Sequence, residues 1–165
     1  MADINPALDT PTDLPSNSTK SVADALNAAL ADCYALYLKT KNFHWHMSGP
    51  HFRDYHLLLD DQSAQIIGVT DAIAERVRKT GNTTLRSIGD ISRRQTIADN
   101  DKDFVNAAAM LAELREDNLK LVESFRVVKD AADDAKDNAT SGIVDEWTDQ
   151  AEERAWFLFE ASRKG

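Results

Sequence analysis

The sequence predicts an all-α protein: four long helices forming a bundle, with an extended connection between the second and the third. Three observations carry this. Apolar residues recur at i, i+3, i+4 and i+7 over four separate stretches. No segment shows the alternation of a half-buried strand. The breakers between the first and second stretches and between the third and fourth are short, whereas the one between the second and third is long.

Residues 1–19 hold Pro6, Pro11 and Pro15 among Asp, Thr, Ser and Asn, a composition that interrupts helices and offers little to bury, so a flexible tail is expected there. The folded domain is expected over residues 20–165. Its first helix carries Val22, Leu26, Ala29, Leu30, Cys33, Leu36, Tyr37 and Thr40, with Ser18, Thr19 or Ser21 as N-cap, and ends near Met47. Ser48-Gly49-Pro50 breaks the chain. The second helix follows on Phe52, Tyr55, Leu59, Ile66, Ile67, Ile73, Ala74 and Val77 and stops at Gly81.

Asn82 to Asn100, with a short apolar set including Ile88, Ile91 and Ile97, reads as a long crossover with room for one short helix. Asp99, Asn100 or Asp101 is expected to cap the third helix, whose stripe runs through Phe104, Ala108, Leu111, Leu114, Leu121, Val122, Phe125 and Val128 to about Asp130. The spacing Asp99-x-Asp101-x-Asp103 has the opening of a calcium loop but lacks its glycine and terminal glutamate, so it too reads as capping. The fourth helix begins near Thr140 and carries Ile143, Val144, Trp147, Ala151, Ala155, Trp156, Leu158 and Phe159. Two antiparallel hairpins joined by a long crossover make the ferritin-like variant of the four-helix bundle.

At 165 residues the chain fits one domain. Its 19 Lys and Arg against 28 Asp and Glu leave a net charge of −9, which favours cations over nucleic acid phosphates or anionic lipid. One cysteine, Cys33, excludes an intrachain disulfide framework and a cysteine-rich metal site. With no apolar run of membrane length and no basic-then-apolar start, a cytoplasmic protein without membrane contact is expected.

All four histidines, His44, His46, His51 and His56, fall within thirteen residues around the first turn. Taken singly, each would read as a surface or hydrogen-bonded histidine; spacing adds information. His56 and Asp60 are four apart, as are Asp71 and Glu75, so each pair projects from one face of the second helix. The eleven residues from Asp60 to Asp71 make about three turns, placing the pairs on nearly one stripe but ~16 Å apart. No single ion reaches both within one chain. Two copies of the helix packed antiparallel about a two-fold axis would bring the ends together and form two equivalent sites. Mixed imidazole and carboxylate ligation suits iron, with zinc as competitor. The sequence contains no Glu-x-x-His, so the usual ligand set inside one bundle is missing.

The run Lys41-Asn42-Phe43-His44-Trp45-His46, then Gly49-Pro50-His51-Phe52, His56 with Asp60, and Asp71-Ala72-Ile73-Ala74-Glu75-Arg76 resembles the pattern of the Dps family of mini-ferritins, closely over about residues 39–80. The resemblance implies a hollow dodecameric cage with a ferroxidase centre made of His44, His56 and Asp60 of one subunit and Asp71 and Glu75 of its two-fold neighbour. It further implies up to two irons per site, oxidation of Fe(II) by hydrogen peroxide in preference to dioxygen, a stored ferric mineral, no organic cofactor, and a bacterial cytosolic or nucleoid location. Trp45 and Lys41 are auxiliary candidates, each also readable as a packed aromatic and an exposed lysine. Asp130, Asp133, Asp134 and Asp137 are candidates for an iron-entry pore, although Gly142 stands where another acid would be expected. His46 replaces a common asparagine, and surface or helix-capping roles are expected for it and for His51.

Two further readings remain. One is a nucleoid-associated DNA-binding protein with a secondary iron site; the acidic tail, with Asp3, Asp9 and Asp13 before Lys20, argues for weak DNA binding. The other is a helical assembly protein whose His and Asp residues satisfy buried contacts or hold structural zinc.

Overall fold

The computed structural model describes residues 4–163 as five α-helices, with no strand among the described residues. They are α1 (Ser16–His46), α2 (Phe52–Lys79), the short α3 (Ile88–Arg94), α4 (Ala107–Asp134) and α5 (Asn138–Ser162). The hairpins α1–α2 and α4–α5 pack against each other mainly through α1 and α4, and α3 rides on α1. The first turn closes through Gly49, whose φ of 114° suits glycine, and the amide of Phe52 bonds the Gly49 carbonyl.

The core is one cluster in which Leu26, Leu30 and Leu36 of α1 meet Leu59, Ile66 and Ile73 of α2, Leu114 and Phe125 of α4, and Val144 and Leu158 of α5. Most of each helix's contribution is the stripe its periodicity announces. No helix among the described residues is long and apolar enough to cross a membrane.

Three boundaries differ from expectation. The bundle begins at Ser16, so residues 16–19 are helical and the tail is shorter than residues 1–19. Of the rest of that segment, residues 1–3 lie outside the described residues, Pro6–Leu8 form a 3-10 turn, and Arg78 donates to the Leu8 carbonyl and the Thr10 hydroxyl. The expected domain end, residues 164–165, also lies outside.

At the third long helix, the cap is Asn106, whose side chain accepts from the Ala109 amide, and not Asp99, Asn100 or Asp101. Asn100 instead spends its side chain on the Lys102 amide and on Glu113. Phe104, outside the helix, is 68% exposed. The fourth long helix starts two residues earlier than Thr140, capped by Asp137, and its Trp156 and Phe159 face outward, 60% and 45% exposed.

The crossover is tied down by buried charge. Asp32, fully buried on α1, accepts from the amides of Thr96 and Ile97 at 2.6 and 3.1 Å and from the hydroxyls of Thr96 and Ser124. About two turns later, Lys39 donates to the Ala98 carbonyl at 2.8 Å and pairs with Asp117 and Glu113 of α4, each at 2.6 Å.

Candidate metal centre

The last turn of α1 and the first of α2 meet through their histidines. His44 Nδ1 donates to the His56 carbonyl at 2.7 Å and His56 Nδ1 donates to the His44 carbonyl at 2.9 Å. The rings stack with centroids 3.7 Å apart and planes 20° from parallel. Each bond satisfies a carbonyl and fixes a ring. Because a carbonyl can only accept, Nδ1 carries the hydrogen in each neutral imidazole and Nε2 keeps its lone pair, the tautomer a metal ligand needs.

Asp60 lies one turn beyond His56 on α2. Its Oδ1 lies 3.9 Å from His44 Nε2 and 2.7 Å from Lys41 Nζ. The hydrogen bond and charge of Lys41 hold the Asp60 carboxyl below the usual carboxylate range. Lys41 also stands 5.9 Å from the centre of the Trp45 ring, which is 59% exposed.

The second pair lies nearer the other end of α2. Asp71 and Glu75 are both exposed, on the side opposite the buried Ile73 and Val77, and Glu75 takes a surface ion pair from Lys79 at 3.2 Å. Among the described residues no group of three or more His, Cys, Asp or Glu side chains is placed to hold a metal ion. The structure thus brings His44, His56 and Asp60 near one another and sets Asp71 with Glu75 further along α2.

The other candidates fall as follows. His46 Nδ1 donates to the Asn42 carbonyl of its own helix. His51 precedes α2 without a capping bond from its side chain, its ring 5.6 Å from Tyr55. Asp130, Asp133 and Asp134 are exposed around the end of α4, Asp133 accepting from the Ser141 hydroxyl. Asp137 differs: it is 3% exposed, caps α5 through the Thr140 amide, and accepts from Arg76 at 2.8 Å. Burial works to raise its carboxyl, but the bonds from Thr140 and Arg76 outweigh it and hold the group below the ordinary range.

The bundle interior, where this architecture can hold metals between its helices, carries a cation instead. Arg154 of α5 is 2% exposed; its Nε donates to Asn118 Oδ1 of α4 and its carbonyl accepts from Gln62 of α2. Burial lowers the guanidinium to about 10 and raises the Cys33 thiol to about 12. This guanidinium, Asp32 and the Lys39–Asp117 pair escape a reading by apolar period. Their signal is a charged residue at a core register, as Asp32 stands among Ala29, Cys33 and Leu36.

A long-crossover helical bundle with imidazole–carboxylate and carboxylate pairs along α2 defines a ferritin-like protein, and residues 23–164 match the ferritin family, described as a ferritin-like domain. The chain is 34% identical over 149 residues to the DNA protection during starvation protein of Agrobacterium fabrum, covering 90% of this chain and 92% of that one. The crystal structure of a Dps protein from Bacillus brevis superposes with a TM-score of 0.85 at 28% identity, covering 93% and 100% of the two chains. DpsC from Streptomyces coelicolor shares the fold with a TM-score of 0.90 at 24% identity over 94% and 91%. The chain belongs to the Dps family within the ferritin-like proteins.

Proposed function

We propose that the protein is a ferroxidase and iron store that limits oxidative damage by consuming Fe(II) and peroxide together. The single observation that carries this reading is the pair of half-sites. Two imidazoles with free Nε2 atoms and a carboxylate lie at one end of α2, two exposed carboxylates lie further along it, and no complete ligand set lies within the chain's described residues. A second copy turned end for end about a two-fold axis supplies to each half what it lacks.

In this reading His44, His56 and Asp60 of one subunit and Asp71 and Glu75 of its partner hold the substrate iron. Carboxylate oxygens favour the ferric charge over the ferrous one, and the imidazoles complete the coordination. Two ferrous ions each give one electron to one hydrogen peroxide, whose O–O bond breaks; with water the products are ferric oxyhydroxide and four protons. Peroxide in preference to dioxygen, storage of the mineral in a dodecameric cage, and a cytosolic site of action all belong to the proposal. Asp130, Asp133 and Asp134 are the exposed acids for an entry pore. Asp137, consumed by Arg76 and the α5 cap, acts by shaping that turn.

The relatives named for DNA protection fit a role exercised through iron chemistry. With a net charge of −9 and acids ahead of Lys20, direct DNA binding is expected to be weak at physiological salt. The test is stopped-flow oxidation of Fe(II) by peroxide. Wild-type protein should oxidise it rapidly, and His44→Ala with Asp71→Ala should not, while the oligomer persists. Unchanged ferroxidation in that variant would remove the site assignment.

A further inference from the structure

Arg76 immediately follows Glu75, and nothing in the iron chemistry above uses it. Its guanidinium leaves α2 on the side away from the Asp71/Glu75 stripe and makes two bonds to the start of α5: Nε donates to Thr140 Oγ1 at 2.7 Å and Nη2 to Asp137 Oδ1 at 2.8 Å. Asp137 in turn accepts from the Thr140 amide and hydroxyl, closing a ring of bonds that is buried at Asp137 and Thr140.

The end of α2 has reason to need such a tie. Asp71 and Glu75 lie in its last three turns, so the direction of this helix end sets how both exposed carboxylates are presented. Elsewhere α2 has few contacts with α5, its main neighbour being α1. One turn of the α2 end is therefore fixed to the second hairpin largely through Arg76, with Ile73 and Val77 providing only apolar, non-directional packing beneath.

We propose that Arg76 is a positioning residue for the Asp71/Glu75 half-site: by locking the α2 terminus to the capped N-terminus of α5 it sets the angle at which the two carboxylates are presented to the partner subunit. This rests on the reading of Asp71 and Glu75 as ligands. A planar guanidinium with two donors fixes direction as well as distance, which an ammonium does not.

The test compares Arg76→Met, Arg76→Lys and Asp137→Asn with the wild-type assembly. Asparagine retains capping ability, so Asp137→Asn removes the charge while keeping the helix start, and it serves if Arg76→Met does not fold. Zn(II) binding measured by calorimetry, which needs no oxidation, is expected to weaken about 10- to 100-fold in Arg76→Met, as for groups that orient metal ligands, and less in the other two. The KM for Fe(II) should rise in the same order while kcat changes far less. Loss of melting temperature with zinc affinity and KM unchanged in the folded variants would overturn the proposal, as would Arg76→Lys binding zinc no better than Arg76→Met. Wild-type protein that binds zinc but leaves Fe(II) unoxidised would instead overturn the ferroxidase reading and leave this one standing.

Discussion

Lys41 Nζ and His44 Nε2 face the same oxygen of Asp60, at 2.7 and 3.9 Å respectively. The ammonium thus occupies the side of the carboxylate that a cation bound by His44 would share, and under the proposed ligand assignment a metal would have to displace it. The pair is half exposed at Asp60, so it is a surface ion pair and weak. Lys41→Met should therefore tighten Zn(II) binding by about 2- to 5-fold. Weaker binding in calorimetry would mean that Lys41 assists the metal.

Exposed apolar residues of α1 and α3 line a groove of their own. Leu38 is 59% exposed and Ile88 79%, flanking a groove of about 460 Å³ between the two helices. Leu38 and Lys41 are three apart and so share a face of α1. If the two-fold partner covers this face, Leu38→Glu or Ile88→Glu should shift the protein to monomers in sedimentation velocity and abolish ferroxidation without loss of helix content. A variant that stays assembled and active would place the partner elsewhere.

Asp32 anchors the crossover from inside the bundle. Removing its carboxylate leaves the Thr96 and Ile97 amides without their acceptor in or beside the core, so Asp32→Ala should cost about 2–4 kcal/mol in urea unfolding. Asp32→Asn, which keeps one acceptor oxygen, should cost less. A loss under 1 kcal/mol in the alanine variant, read from about the same baseline, would show that water replaces the anchor without penalty.

Acid stability should depend on Asp137. Its folded carboxyl lies below the ordinary range, so ionised Asp137 contributes stability that is fully present above the unfolded value, about 3.9, and is lost as pH falls through the folded value. Glu113, lowered by Lys39 and Asn100 against its burial, has the same sign. Asp117, raised chiefly by burial, has the opposite one: its contribution is present at low pH and fades as pH rises. Asp137→Asn should flatten the fall of melting temperature between about pH 5 and 3. An unaltered slope would assign acid sensitivity to other groups.

Much of this was legible in the sequence because it is periodic. The core stripes of α1 and α2 follow from apolar residues recurring at helical intervals, the first turn from Gly49 and Pro50, and the common stripe of His56, Asp60, Asp71 and Glu75 from their spacing. The start of α4 was not, because Asp99, Asn100, Asp101 and Asn106 are all competent caps and only tertiary bonds, such as Asn100 to Glu113, decide which is used. Phe104, Trp156 and Phe159 were misplaced inward since hydropathy does not record which side of a helix meets a neighbour. Asp137 read as one more acid in a run until its partner Arg76, sixty-one residues away in sequence, was in view.

The central claim, that each site is shared between two subunits, is tested most directly by complementation. One variant, His44→Ala with His56→Ala, lacks the first half-site; the other, Asp71→Ala with Glu75→Ala, lacks the second, and each alone should be inactive. Co-assembled in equal amounts, half of the two-fold pairs are mixed and each mixed pair rebuilds one intact site of two. Ferroxidation should then return to roughly a quarter of the wild-type rate. A co-assembled protein as inactive as its parents, with mixed pairs verified by mass, would contradict the shared site.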